Sequence, residues 1–229
     1  MMSVEVSTYR LSLRGNEIGR NVIWTRTQNQ TTNLESLLSL RGNFSQSTIT
    51  QQSSCHASRF FSYRFSETTE ARGEKRLYEV VFDQPSGLVT ARRGKKDEAS
   101  IPYLVPYRDP LSVLFEIRNW HNPDGCSKKI PLLGKEVAIV PKGTTQVQTS
   151  SGKKTAWAYS LYPGGSHVYV DTEEPHHILH LTQRLAGSNI ESSLSKIEEI
   201  TQMPGGQFSG TGNARKKKQR RRRRRKPRK

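Results

Sequence analysis

Apolar and polar positions alternate with a period close to two along most of the first 185 residues, the pattern of half-buried strands. Val4, Val6, Tyr9, Leu11 and Leu13 stand among polar neighbours, and the slip between Val6 and Tyr9 predicts a bulge or a change of register. Arg14-Gly15-Asn16 reads as a turn into a partner strand over 18–27, and Arg41-Gly42-Asn43 separates a second pair over 34–40 and 44–51. A strand over 58–65 alternates Phe61, Tyr63 and Phe65 with Ser62 and Arg64; residues 67–76 read as a polar loop. Strands over 77–83 and 88–92 flank the turn Gln84-Pro85-Ser86-Gly87. Further strands are expected over 135–140, 144–149, 156–162, 167–171 and 177–182, with Pro163-Gly164-Gly165-Ser166 as a hairpin signal.

One stretch breaks the alternation. Asp109 is a good helix N-cap, and Pro110 suits the first helical position because its missing N–H would be unpaired there anyway. Leu111, Leu114, Phe115 and Arg118 follow at helical spacing, so a helix is expected over 109–120. About ten short strands with one short helix predict an all-β fold. It is an antiparallel β-barrel or a curved β-sandwich, with the helix capping or plugging it. The fold class covers a domain over 1–185. Residues 186–202 fit either a terminal helix or an edge strand, through Ile190, Leu194 and Ile197. Residues 203–214 read as a flexible Gly/Ser-rich linker, and 215–229 as a disordered tail.

The run Tyr78-Glu79-Val80-Val81-Phe82-Asp83, Gly87, a proline-containing link, and Asp109-Pro110-Leu111-Ser112 heading a helix resemble an uncharacterised bacterial family. That family is catalogued as a domain of unknown function. The resemblance spans roughly residues 4–185. It implies a β-barrel-like fold, a bacterial origin and an envelope association, and it supplies no catalytic residues. The sequence departs from the family in two respects. Its first residues carry neither a basic n-region nor an apolar h-region, and it ends in a polybasic run. The expected location is therefore the cytoplasm, with association to the nucleoid open.

Charge changes the picture most. The formal net charge is +17, and the last fifteen residues hold thirteen cations and no acid, which leaves +4 on the first 214. These cations are Arg215, Lys216, Lys217, Lys218, Arg220, Arg221, Arg222, Arg223, Arg224, Arg225, Lys226, Arg228 and Lys229. Each Lys or Arg that meets a phosphate releases condensed counterions, and arginine's planar fork pairs phosphate bidentately. The tail therefore predicts binding to nucleic acid, DNA or RNA, largely independent of sequence. The plain alternative is a solubilising or targeting tail, and an anionic membrane surface is the less favoured polyanion. A secondary basic patch is expected from turn residues Arg92, Arg93, Lys95, Lys96, Lys128, Lys129, Lys153 and Lys154, if the fold gathers them. Otherwise they are solvated tips that protect strand edges.

Other chemistry is sparse. Cys55 and Cys126 have no C-x-x-C spacing and read as free thiols. His176 and His180 on one strand would stand about 13 Å apart, too far to share a metal, so no metal site and no cofactor are expected. No nucleophile elbow, P-loop or H-E-x-x-H is present, and the chain reads as a non-enzyme with no catalytic residues. Trp24, Phe61, Tyr63, Phe65, Trp157, Tyr159 and Tyr169 read as core, with base stacking as the alternative. Two other functions remain open. One is a barrel that holds a lipid or apolar ligand and is docked by its tail; the other is a protein–protein interaction module. Homodimerisation through a strand edge is compatible with each.

Overall fold

The computed structural model describes residues 3–42, 46–94, 97–121, 125–185 and 187–201. The linker over 203–214 and the tail over 215–229 lie outside the described residues, as do Lys95 and Lys96.

Among the described residues the chain forms fourteen strands and one helix. The first eight strands are β1 (Val4–Leu13), β2 (Asn16–Gln28), β3 (Thr31–Leu40), β4 (Ser47–His56), β5 (Ser62–Ala71), β6 (Glu74–Asp83), β7 (Leu88–Arg93) and β8 (Asp97–Pro102). Helix α1 (Pro110–Arg118) follows, then β9 (Lys128–Leu132), β10 (Lys135–Thr149), β11 (Gly152–Tyr162), β12 (Ser166–Asp171), β13 (Ile178–Leu185) and β14 (Ser188–Ile200).

All neighbours in the sheet pair antiparallel, in the order β8 to β1, then β14 back to β9. Each strand pairs with the next in sequence except β8 with β9, and β14 closes onto β1. The break in the ring falls between β8 and β9, and the segment carrying α1 crosses it. That segment is tied down on the way: the Ser62 amide donates to Tyr107 O at 2.8 Å, the Arg108 amide to Pro131 O at 2.9 Å, and Arg108 bridges Leu132. The result is an antiparallel β-barrel-like fold with one helix set inside the seam.

Local chemistry explains several elements that alternation alone misplaces. Residues 67–76 are a hairpin, not a loop, because Arg72 and Gly73 both adopt left-handed backbone (φ 52° and 78°) and close β5 onto β6. Arg14 and Gly15 (φ 51° and 79°) do the same between β1 and β2, as two-residue hairpin loops require. The strand expected over 58–65 begins only at Ser62, since Phe60 sits at φ 61°. The strands expected over 135–140 and 144–149 are one, β10, bulged between Pro141 and Thr144. β8 and β9 were missed, each containing a proline. Residues 188–200 are neither helix nor edge strand: β14 lies between β13 and β1. The slip in β1 is a register shift against β14 between Thr8 and Tyr9. On β2, Gly19 passes so close to β3 that a Cβ would sit 1.9 Å from Ser39 O.

The helix starts where Asp109 and Pro110 predict, but its buried side is not the predicted one. Leu111, Ser112, Val113, Glu116 and Ile117 are buried, whereas Leu114, Phe115 and Arg118 are only partly covered. The reason is that α1 sits between two apolar clusters. Val113 and Ile117 join Tyr9, Ile130, Ile139, Tyr159, Val168 and Val170 on one side. Leu111 joins Leu34, Cys55, Phe65, Val80, Phe82 and Val89 on the other. Most of the aromatic residues read as core are in the core or packed on it: Phe61, Phe65 and Tyr159 are buried and Trp157 lies against the first cluster.

Candidate polyanion-binding surface

α1 is seated by polar contacts as well as apolar ones. The buried Asp109 carboxylate accepts from Leu111 N and Ser112 N at the helix start, and from Ser53 Oγ (2.7 Å) and Ser62 Oγ (2.5 Å) across the interior. Burial raises its pKa, against the lowering effect of these donors. Glu116, 2% exposed, pairs with Arg108 at 2.9 Å and with Lys128. At the helix end, Arg118 grips Glu5 of β1 with two bonds of 2.5 and 2.7 Å, and His177 Nδ1 stands 3.7 Å from the same carboxylate. Burial pushes Glu5 up, but Arg118 more than offsets it and holds the carboxyl below its ordinary value. Burial pushes His177 down. Beside this pair a recess of about 30 Å³ opens between α1 and β1–β3, lined by Tyr9, Ile23, Leu34 and Leu114 among others. That is room for roughly a water or two.

Of the eight residues expected to form a secondary basic patch, Lys95 and Lys96 lie outside the described residues, and the other six stand on three separate parts of the sheet. Arg92 and Arg93 lie on β7 beside one sheet edge, Lys128 and Lys129 on β9 at the other, and Lys153 and Lys154 at the β10–β11 turn. Most are also occupied. Arg92 pairs with Glu98 at 2.5 Å, Lys129 with Glu136 at 3.3 Å, and Lys154 with Asp171 at 2.6 Å. Arg93 lies over the Tyr78 ring, 5.7 Å from its centroid, and Lys128 combines its bond to Glu116 with the face of Trp120. Of the six described, Arg93 and Lys153 are exposed without an ion pair, and Arg93 has the Tyr78 ring. Turn position in the sequence marked these residues, but their partners come from neighbouring strands and could not be read from it.

Five of the described cations that make no ion pair gather elsewhere. Arg10 on β1 and Arg20 on β2 are direct register partners. Arg14 forms the adjoining turn, Arg41 follows β3 beside it, and Arg184 lies near the end of β13. All five are exposed. Sequence reading missed them because each is a single cation among uncharged neighbours; the register is the signal that assembles them.

The histidines do not converge on a metal. His177 faces Glu5, His180 bonds Ser193 Oγ at 3.0 Å, and His176 packs on His121 with ring centroids 4.0 Å apart. Among the described residues no group of three or more His, Cys, Asp or Glu is placed to hold a metal ion. Both cysteines are free thiols; Cys55 is buried, which pushes its thiol up to about 12, and Cys126 is exposed.

Comparison with known proteins bears on the fold. The model of a family described as a protein of unknown function, DUF3108, matches residues 4–180. A crystal structure of a β-barrel-like protein of the domain of unknown function DUF1849 from Brucella abortus superposes with a TM-score of 0.56 at 12% identity. The match covers 86% of this chain and 98% of that one. No curated protein matches the chain.

Proposed function

Starting from the fact that the chain belongs to the DUF3108 family, we propose that it is a non-enzymatic, largely sequence-independent nucleic-acid-binding protein of the cytoplasm. The Lys/Arg run over 215–229 supplies most of the affinity, and the barrel-like domain is its platform. The carrying observation is the concentration of thirteen cations in the last fifteen residues. Among the described residues ten acids already sit in ion pairs with cations of the folded domain. Arginine over 220–225 favours phosphate through its bidentate fork.

The test is a salt titration of a labelled 20-mer, as duplex DNA and as single-stranded RNA, against the full chain and a chain ending at Ala214. With about six to eight phosphate contacts the full chain should lose roughly 10³–10⁵-fold in affinity between 50 and 200 mM salt. The shortened chain should bind far more weakly, with a shallow slope. Equal affinity and slope for the two chains would remove the tail from the interaction. Binding of the full chain to phosphatidylserine vesicles but to neither nucleic acid would support the membrane-docked reading instead.

A further inference from the structure

We propose that the end of the sheet built around Arg10 and Arg20 is the phosphate-contacting surface of the folded domain. The inference rests on the nucleic-acid reading above and adds to it a second contact region that does not belong to the tail.

Arg10 lies between Tyr9 and Leu11, both buried, so alternation along β1 sends its side chain to the outer face. Arg20, directly opposite on β2, shares that face. Like charges in this cross-strand position are destabilising. Elsewhere the same domain places acids beside exposed cations, as in Arg92–Glu98 and Lys129–Glu136. At this end no ion pair forms among the described residues. The two acids nearby, Glu17 and Glu191, form no ion pair among the described residues, and Glu191 accepts from Ser12 instead. Arg184 lies at an outward position of β13, in line with His180 and Thr182, which face β14 residues Ser193 and Glu191. Arg14 and Arg41 flank the same end from their turns.

A doublet of arginines that makes no ion pair, flanked by three more, costs the isolated domain stability and suits a ligand carrying closely spaced, repeated anionic groups. A phosphodiester backbone has that chemistry, and two adjacent guanidinium forks can each take a phosphate bidentately. The surface also has a direction. β14 leaves this end at Ser188 and finishes at Ile200 beside Val4, the far end of β1, from which the chain runs on toward its tail. At about 3.3 Å per residue the two ends of β1 stand roughly 30 Å apart, so tail and arginine end can engage one strand of nucleic acid at separate places.

The experiment compares full-length Arg10→Thr/Arg20→Thr with the unaltered full chain and with Lys142→Thr/Lys153→Thr. The last removes the same net charge from exposed, unpaired lysines on β10 and β11. Threonine suits a strand, so both variants should fold, and removing the Arg–Arg opposition should leave the thermal midpoint unchanged or higher. The Arg10/Arg20 variant should bind a 20-mer duplex roughly tenfold more weakly, with a salt slope shallower by about two. Parallel titrations with single-stranded RNA of the same length separate DNA from RNA as the source of the phosphates. Arg10→Lys/Arg20→Lys should recover part of the loss. An equal loss in the Lys142/Lys153 variant would overturn the inference, because net charge alone would explain it. An unaffected Arg10/Arg20 variant would also overturn it, and if the chain ending at Ala214 still lost binding the tail reading would stand. A chain ending at Ala214 that binds as the full chain does, but weakens on Arg10/Arg20 substitution, would remove the tail reading and uphold the inference.

Discussion

At the residue scale the folded domain is organised around buried polar groups that are almost all satisfied, and Asp109 is the clearest case. Its role as N-cap, with Pro110 behind it, was legible in the sequence because capping is a local matter. Its second role was not, since Ser53 and Ser62 approach from β4 and β5 some fifty residues earlier. Replacing Asp109 by Ala removes the cap and leaves two interior hydroxyls without their acceptor. A lost cap costs about 1 kcal/mol, and stranded buried donors add a further ~1–3. Asp109→Ala should therefore lower the unfolding free energy by about 3 kcal/mol, read from the urea midpoint at unchanged slope. Ser112→Ala should cost less, because Ser62 retains Asp109 as its acceptor. An Asp109→Ala protein as stable as the parent would mean that the carboxylate contributes nothing beyond filling space.

At the scale of elements, α1 joins the two apolar clusters of the barrel interior. Sequence periodicity located the helix but assigned it the wrong buried face. Period-based reading expects an apolar side, whereas this helix buries Ser112 and Glu116 because the barrel supplies partners for them. Strands over-predicted as loops have a matching cause. Arg72-Gly73 closes a hairpin although the familiar turn pairs are Asn-Gly and Asp-Gly, and prolines in β8 and β9 hid strands that lie at the sheet edges, where proline is tolerated. The Arg118–Glu5–His177 contact that holds the helix end titrates. The folded pKa of His177 is depressed by burial, so its contribution is present above about pH 6.5 and is lost as pH falls through the folded value. Glu5 is also depressed on balance, burial being outweighed by Arg118, so its contribution is present above its ordinary value and fades at still lower pH. Asp109, raised by burial, works in the opposite sense in the acid range. Stability should thus decline from near neutrality downward, with its first loss below about pH 6.5. His177→Leu should make that first part of the profile shallower, the remainder coming from His180, which burial also depresses, while leaving the carboxylate-driven loss in place. A thermal-midpoint series at steps of half a pH unit measures both, and identical profiles for the two proteins would dissociate His177 from the helix seat.

At the scale of the whole molecule, fold and charge are laid out on different parts of the chain. The all-β class and the basic tail were visible in alternation, turn residues and charge density, because each is a property of local composition. The closure itself was not visible, since it depends on the pairing of β1 with β14 across nearly two hundred residues. That pairing makes the last strand structural rather than peripheral. β14 bonds β13 on one side and β1 on the other, and without it the sheet falls into two parts, β8–β1 and β13–β9, with their inner apolar residues uncovered along the cut. Leu11 and Leu40 would lose their packing against Ile190, itself 3% exposed, altogether. A chain ending at Thr201 keeps every strand pairing described and discards the whole basic run. Its thermal midpoint should lie within a few degrees of the full chain's, because no described contact is lost. A chain ending at Gly187 discards only fourteen residues more, yet it should show no cooperative transition and should aggregate through the two strand edges it exposes. The pair of truncations locates the boundary between the part of the chain that builds the barrel and the part that carries its charge. If the shorter chain folded cooperatively, β14 would be an accessory strand, and the barrel-like closure through β1 would not be what holds the two halves of the sheet together.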